Sequence, residues 1–162
     1  MTDERQSGFI KRLFGKKTQA AEAGLVTPDF SGSPPADPEA MTGAFIRDYL
    51  LWNDFSFQNY ERTNDFGLAS SAYDALVAKY AGPAKEHLLT TFSSHSSHSP
   101  TTTKIESAAY LEQSAKIVTL NEDVNGFITR YEYHYVQKGG VWLLDGLYYI
   151  DDYDNDARLP IL

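Results

Sequence analysis

The succession of patterns along this 162-residue chain predicts an α+β fold, helices first and an antiparallel meander after them. Between Pro38 and Ala81, apolar residues recur at helical spacing; from Ile105 onward they alternate with a period of two. Gly139-Gly140 separates two runs rich in aromatic and β-branched residues, Phe127–Val136 and Val141–Ile150. That arrangement marks a hairpin whose two turn residues both need φ > 0.

The elements follow in order. Residues 1–37 are expected to be a disordered basic tail and a linker, with the folded domain spanning 38–162. Phe9, Ile10, Leu13 and Phe14 with Lys11, Arg12, Lys16 and Lys17 form a short basic amphipathic stretch. A helix that short is marginal in water, and its contact with an anionic membrane would be weak. Residues 27–38 are rich in Pro, Gly and Ser and read as a linker. Asp37 followed by Pro38 and Glu39 is a helix start, an N-cap, then Pro at the first position and an acid in the first turn.

This first helix is expected to run to about Arg62, with Met41, Phe45, Tyr49, Trp52 and Tyr60 on one face and Ile46, Leu50 and Phe57 beside them. A second helix spans Ala69–Ala81 and stops at Gly82-Pro83. A third, shorter one is expected over Ala84–Phe92. Residues 93–103 (Ser-Ser-His-Ser-Ser-His-Ser-Pro-Thr-Thr-Thr) are predicted to be a polar loop.

Strands are predicted near Ile105–Glu112, Ala115–Asn121, Gly126–Lys138 and Val141–Asp151, with Asn125-Gly126 as a second tight turn. On the long strand, Phe127, Thr129, Tyr131, Tyr133 and Tyr135 share one face; Ile128, Arg130, Glu132, His134 and Val136 share the other. Asp151–Leu162 reads as an acidic turn and an apolar tail returning to the sheet.

Composition narrows the function. Aromatics make up 14% of the chain, with eleven Tyr and nine Phe, which suits a sheet packed on helices. There is no Cys, hence no disulfide, thiolate metal site or Cys nucleophile. No apolar run approaches membrane-span or signal-peptide length, so a cytoplasmic protein is expected. Residues 1–17 hold five basic and two acidic residues, a net of +3; the remainder holds nine and twenty, a net of −11, together the −8 of the whole chain. So acidic a body is a poor nucleic-acid binder and suits a basic protein partner, whose approach it would steer.

Tyr73-Asp74-Ala75-Leu76 with Lys79-Tyr80, the His98 loop, Lys116-Ile117-Val118-Thr119, and Tyr131-Glu132-Tyr133-His134-Tyr135 followed by Gly140-Val141-Trp142 carry a resemblance. Over roughly 38–162 the chain resembles the NTF2-like (cystatin-like α+β cone) superfamily, most narrowly the NTF2-fold immunity proteins of bacterial polymorphic toxin systems. The resemblance implies N-terminal helices on a curved antiparallel sheet of four or more strands. It also implies a non-catalytic protein that binds a cognate toxin and occludes it. The loop departs from the group's more acidic pattern, reading His-Ser-Ser-His-Ser-Pro.

Neither a cofactor nor a metal site is expected. His95 and His98 have a metal-compatible spacing, but their setting reads as a loop without carboxylates. Asp152-Tyr153-Asp154-Asn155-Asp156 begins like a calcium loop, yet Ala157 stands where Gly is needed. The candidate partner-binding residues are Asp145, Asp151, Asp152, Asp154 and Asp156, with Arg130, Glu132 and His134 on one strand face. Two alternative readings draw on the same superfamily. One is an isomerase- or dehydratase-type enzyme using Asp48 with His134, Tyr131 or Tyr133, against which stands their division between strand faces. The other is an adaptor that dimerises through the sheet.

Overall fold

The computed structural model describes residues 24–162, so the expected basic tail lies outside the described residues except at its end. Helix α1, Pro38–Thr63, begins where the N-cap predicts: the Asp37 carboxylate accepts a 2.9 Å hydrogen bond from the Ala40 N–H. It ends at Asn64, whose left-handed backbone (φ 55) lets its N–H reach the Tyr60 carbonyl. Helix α2, Gly67–Ala81, starts two residues earlier than expected, where the Asp65 carboxylate accepts from the Gly67 N–H at 2.9 Å. Lys79 and the Tyr80 hydroxyl both donate to Asp48, at 2.7 and 2.6 Å, and Trp52 Nε1 donates to the Ala69 carbonyl, tying the two helices together.

No helix forms over Ala84–Phe92, contrary to expectation; residues 82–102 cross from α2 to the sheet as irregular chain. Nine residues with β-branched Thr90 and Thr91 gain little as an isolated helix. The end of the stretch is instead tied to α1. The Tyr49 hydroxyl donates to the Thr91 carbonyl, and the Asn53 side chain bonds both the carbonyl and the N–H of Ser93. The linker reading of 27–38 also needs amending, because Phe30 is only 5% exposed and belongs to the core.

Five strands follow: β1 Thr103–Leu111, β2 Ser114–Glu122, β3 Ile128–Lys138, β4 Val141–Asp151 and β5 Ala157–Pro160. Each pairs antiparallel with its neighbours in sequence. The Gly139-Gly140 hairpin forms as predicted, with φ of 58 and 81. The period-two alternation of β3 holds from Arg130 to Tyr135. Tyr131, Tyr133 and Tyr135 face the helices, while Arg130, Glu132 and His134 face away. Phe127, expected on the tyrosine face, precedes the strand and is exposed.

A bulge keeps β4 in step. Tyr133 pairs with Leu147 and Tyr135 with Leu144, so β4 spends one extra residue, at Asp145-Gly146, and both leucines still point inward. Without it, one leucine would be turned to the opposite face. The inner face of the sheet and the two helices enclose one core containing Phe45, Tyr49, Trp52, Tyr73, Leu76, Tyr80, Ile117, Tyr133, Leu144 and Leu147. Each such side chain contributes about 1.5–3 kcal/mol by leaving water. The tail does fold back: beyond β5, the Ile161 N–H donates to the Leu147 carbonyl at 2.8 Å.

Candidate functional site

The antiparallel register brings two turns side by side at one end of the sheet. Arg130 pairs with Ile150, and β2 meets β3 at Glu122 opposite Ile128, so the β2–β3 turn and the β4–β5 turn are neighbours. Together they carry Glu122, Asp123, Asp151, Asp152, Asp154 and Asp156. Four of the five candidate aspartates therefore share one rim; Asp145 lies apart, at the β4 bulge.

Both turns are fixed by their own carboxylates. Asp123 Oδ1 accepts from the Asn125 and Phe127 N–H groups at 2.7 and 2.9 Å, while Gly126 takes φ 80. The tight turn foreseen at Asn125-Gly126 is thus a longer loop organised by Asp123. In the other turn Asp151 Oδ1 accepts from the Tyr153 N–H at 3.0 Å, and Asn155 and Asp156 adopt left-handed backbones, a conformation that Asn and Asp tolerate better than most residues.

What the sequence did not single out is the apolar half of this rim. Val124 is 96% exposed, Phe127 69%, Ile128 53% and Tyr153 97%. The available signal was apolar residues inside turn segments, where a core has no use for them. Large aromatics held in water on ordered turns and ringed by carboxylates match the anchor-and-rim make-up of protein interfaces.

Arg130 fastens the rim to the outer sheet face. Its guanidinium contacts Glu106 through Nε and Nη2 at 3.1 and 3.2 Å and Asp152 through Nη1 at 2.9 Å. These carboxylates, Glu106 first, raise its pKa further. Arg130 thus holds the turn in place, and Asp152 is the one rim acid already paired with it.

Glu132 and His134 form a separate cluster in the middle of the outer face. The Glu132 side chain is 3% exposed although no helix covers it, because its neighbours do. His134 Nε2 lies 2.6 Å from Oε1, Arg158 of β5 contacts Oε2 through Nη2 at 3.0 Å, and Lys116 Nζ of β2 stands 3.5 Å away. The Tyr148 ring packs on His134 with centroids 4.7 Å apart. It lies so low over Gly146 that a Cβ there would sit 2.8 Å from its Cε2. Burial opposes ionisation of Glu132, but the hydrogen bonds from Arg158 and His134 and the charge of Lys116 outweigh it and lower its pKa. Glu132, expected among the partner-binding residues, is therefore covered by its neighbours and out of direct reach of a partner.

The acid–base set of the enzyme reading is dispersed. Asp48 is engaged by Lys79 and Tyr80 between the helices, and His134 is on the outer face, across the sheet from Tyr131 and Tyr133. The predicted polar loop hides one departure: His98 is 2% exposed, its ring 4.4 Å from that of Tyr49 and 4.3 Å from that of Tyr131. Burial pushes its pKa down to about 4, so it is a neutral member of the aromatic core.

Among the described residues no group of three or more His, Asp or Glu side chains is placed to hold a metal ion, and no helix is long and apolar enough to cross a membrane. No family model, no curated protein and no solved structure matches the chain.

Proposed function

We propose that this is a non-catalytic binding protein of the NTF2-fold immunity kind, whose rim docks a basic surface of a toxin and occludes it. The observation that carries the reading is the rim, with Phe127 and Tyr153 held in solvent on two ordered turns among Asp123, Asp151, Asp154 and Asp156. Aromatic anchors supply contact area at low entropic cost, and the surrounding carboxylates steer and pair Lys or Arg of the partner. The order of two helices and then an antiparallel sheet, its inner face lined by tyrosines and filled by α1, agrees with an NTF2-like cone used as a scaffold.

The dispersal of Asp48, His134 and the tyrosines supports a binding role over proton-transfer chemistry, which needs such groups within reach of one substrate atom. The test is co-expression with the product of a neighbouring toxin-like reading frame. The wild-type chain is expected to restore growth and to co-purify with the toxin. Phe127→Ala/Tyr153→Ala is expected to lose both while melting like wild type. If wild type neither rescues nor co-purifies, the immunity reading fails; if the double variant rescues fully, the interface lies elsewhere.

A further inference from the structure

A second feature of the outer sheet face lies away from the rim. Ala109 of β1, Lys116 of β2, His134 of β3 and Gly146 of β4 form one row across four strands. Tyr148 fills the space above Gly146, whereas at the other end of the row Ala109 borders open space. An open groove of about 390 Å³ results, with Ala109 and Leu111 on one wall, His134 and Val136 on the other, and Lys116 and Ser114 between them. That volume lies within the range of small-molecule sites.

The charges are what give this groove a chemistry. Glu132 is already satisfied without Lys116: Arg158 contacts one of its oxygens twice and His134 contacts the other. The Lys116 ammonium, at 3.5 Å from Glu132 and half-exposed, keeps donors to spare. It stands beside apolar walls on an otherwise acidic protein. The sole acid on the groove is Asp145, at its β4 end.

We propose that this groove binds a small organic carboxylate with an apolar body, the carboxylate pairing with Lys116 Nζ and the body lying against Ala109, Leu111 and Val136. An ammonium-bearing ligand would meet Lys116 as a like charge. A wholly apolar ligand would strip water from Lys116 and give nothing in return. An aliphatic or aromatic monocarboxylic acid satisfies both parts. The site is independent of the rim and of any toxin.

The experiment is an NMR titration of the full chain with hexanoate, phenylacetate and the methyl ester of each, following the Ala109 and Val136 methyl groups and the His134 ring. The acids are expected to give saturable shifts with a dissociation constant on the order of 1 mM, typical of ligands with so few atoms. The esters and the Lys116→Ala variant should each weaken binding at least tenfold, Lys116→Arg should retain it, and Ala109→Phe, which fills the groove, should abolish it. Linear, non-saturating shifts, equal binding of acid and ester, or undiminished binding by Lys116→Ala would each overturn the proposal. Phe127→Ala/Tyr153→Ala should bind the acids as wild type does, so the groove and the rim stand or fall separately.

Discussion

Tyr133 and Tyr153 lie on the same sheet system, yet solvent reaches 0% of the first and 97% of the second. Tyr133 sits in the middle of β3, where antiparallel pairing to Ile117 and Leu147 drives it into the helices. Tyr153 sits on a turn whose backbone is held by Asp151, and its ring projects into solvent. The inner ring contributes to stability and the outer one is free to contribute to recognition. Aromatic content alone therefore says little about function; the backbone that carries each ring decides it.

Substitutions at the two places should separate cleanly. Tyr133→Ala empties a fully buried site and should destabilise by about 3–5 kcal/mol, seen as a lower denaturant midpoint. A loss below about 1 kcal/mol would mean that the inner face is not the packed region described. His98 belongs to the same core and should make stability depend on pH. Its folded pKa of about 4 lies below the ordinary 6.5, so between these values the unfolded chain binds the extra proton. Stability should therefore fall as pH drops from about 6.5 towards 4, by a total on the order of 3 kcal/mol. His98→Phe should flatten that slope in urea titrations at pH 4.5 and 7.

On the outer face, Glu132→Ala leaves Arg158, His134 and Lys116 around an empty carboxylate position. Because Arg158, Lys116 and His134 are partly exposed and can rehydrate, the expected cost is about 2 kcal/mol, below that of breaking a fully buried pair. A denaturant series on that variant checks it. Tyr133→Phe should be nearly neutral, within about 1 kcal/mol, since the hydroxyl is buried without a hydrogen-bond partner among the described residues. The smallest effect belongs to the rim: Phe127→Ala/Tyr153→Ala should shift stability by less than about 0.5 kcal/mol per site. A large loss of stability there would show that the rim aromatics serve folding.

Much of the fold was legible because it rests on local rules. Asp37-Pro38 set the start of α1, Gly139-Gly140 set the hairpin, and period-two alternation placed the inward tyrosines. The misreadings share a cause, namely that long-range contacts overrode local pattern. Residues 84–92 looked helical, but Tyr49 and Asn53 of α1 hold the adjoining stretch from Thr91 to Ser93 as irregular chain. Phe30 and His98 sat in polar, loop-like sequence and were drawn into the core by partners that composition does not reveal. At the candidate site the aspartates were visible as a run. The exposure of Phe127 was not, because one residue of strand boundary decides whether that ring joins the inner face. The Glu132 cluster was hidden for a different reason: Arg158 reaches it across β4, and only the pairing of β5 shows that.

The unbroken neighbour-to-neighbour order of the five strands bears on how quickly the chain reaches its native state. Every ladder closes through a connection of only a few residues, so little entropy is lost before each hairpin gains its hydrogen bonds. The longest loop to be closed is the one that brings the sheet onto the helices, because residues 82–102 connect them. Tyr135 spans that closure: its hydroxyl meets Thr42 at 2.7 Å, across more of the sequence than any other side-chain hydrogen bond described.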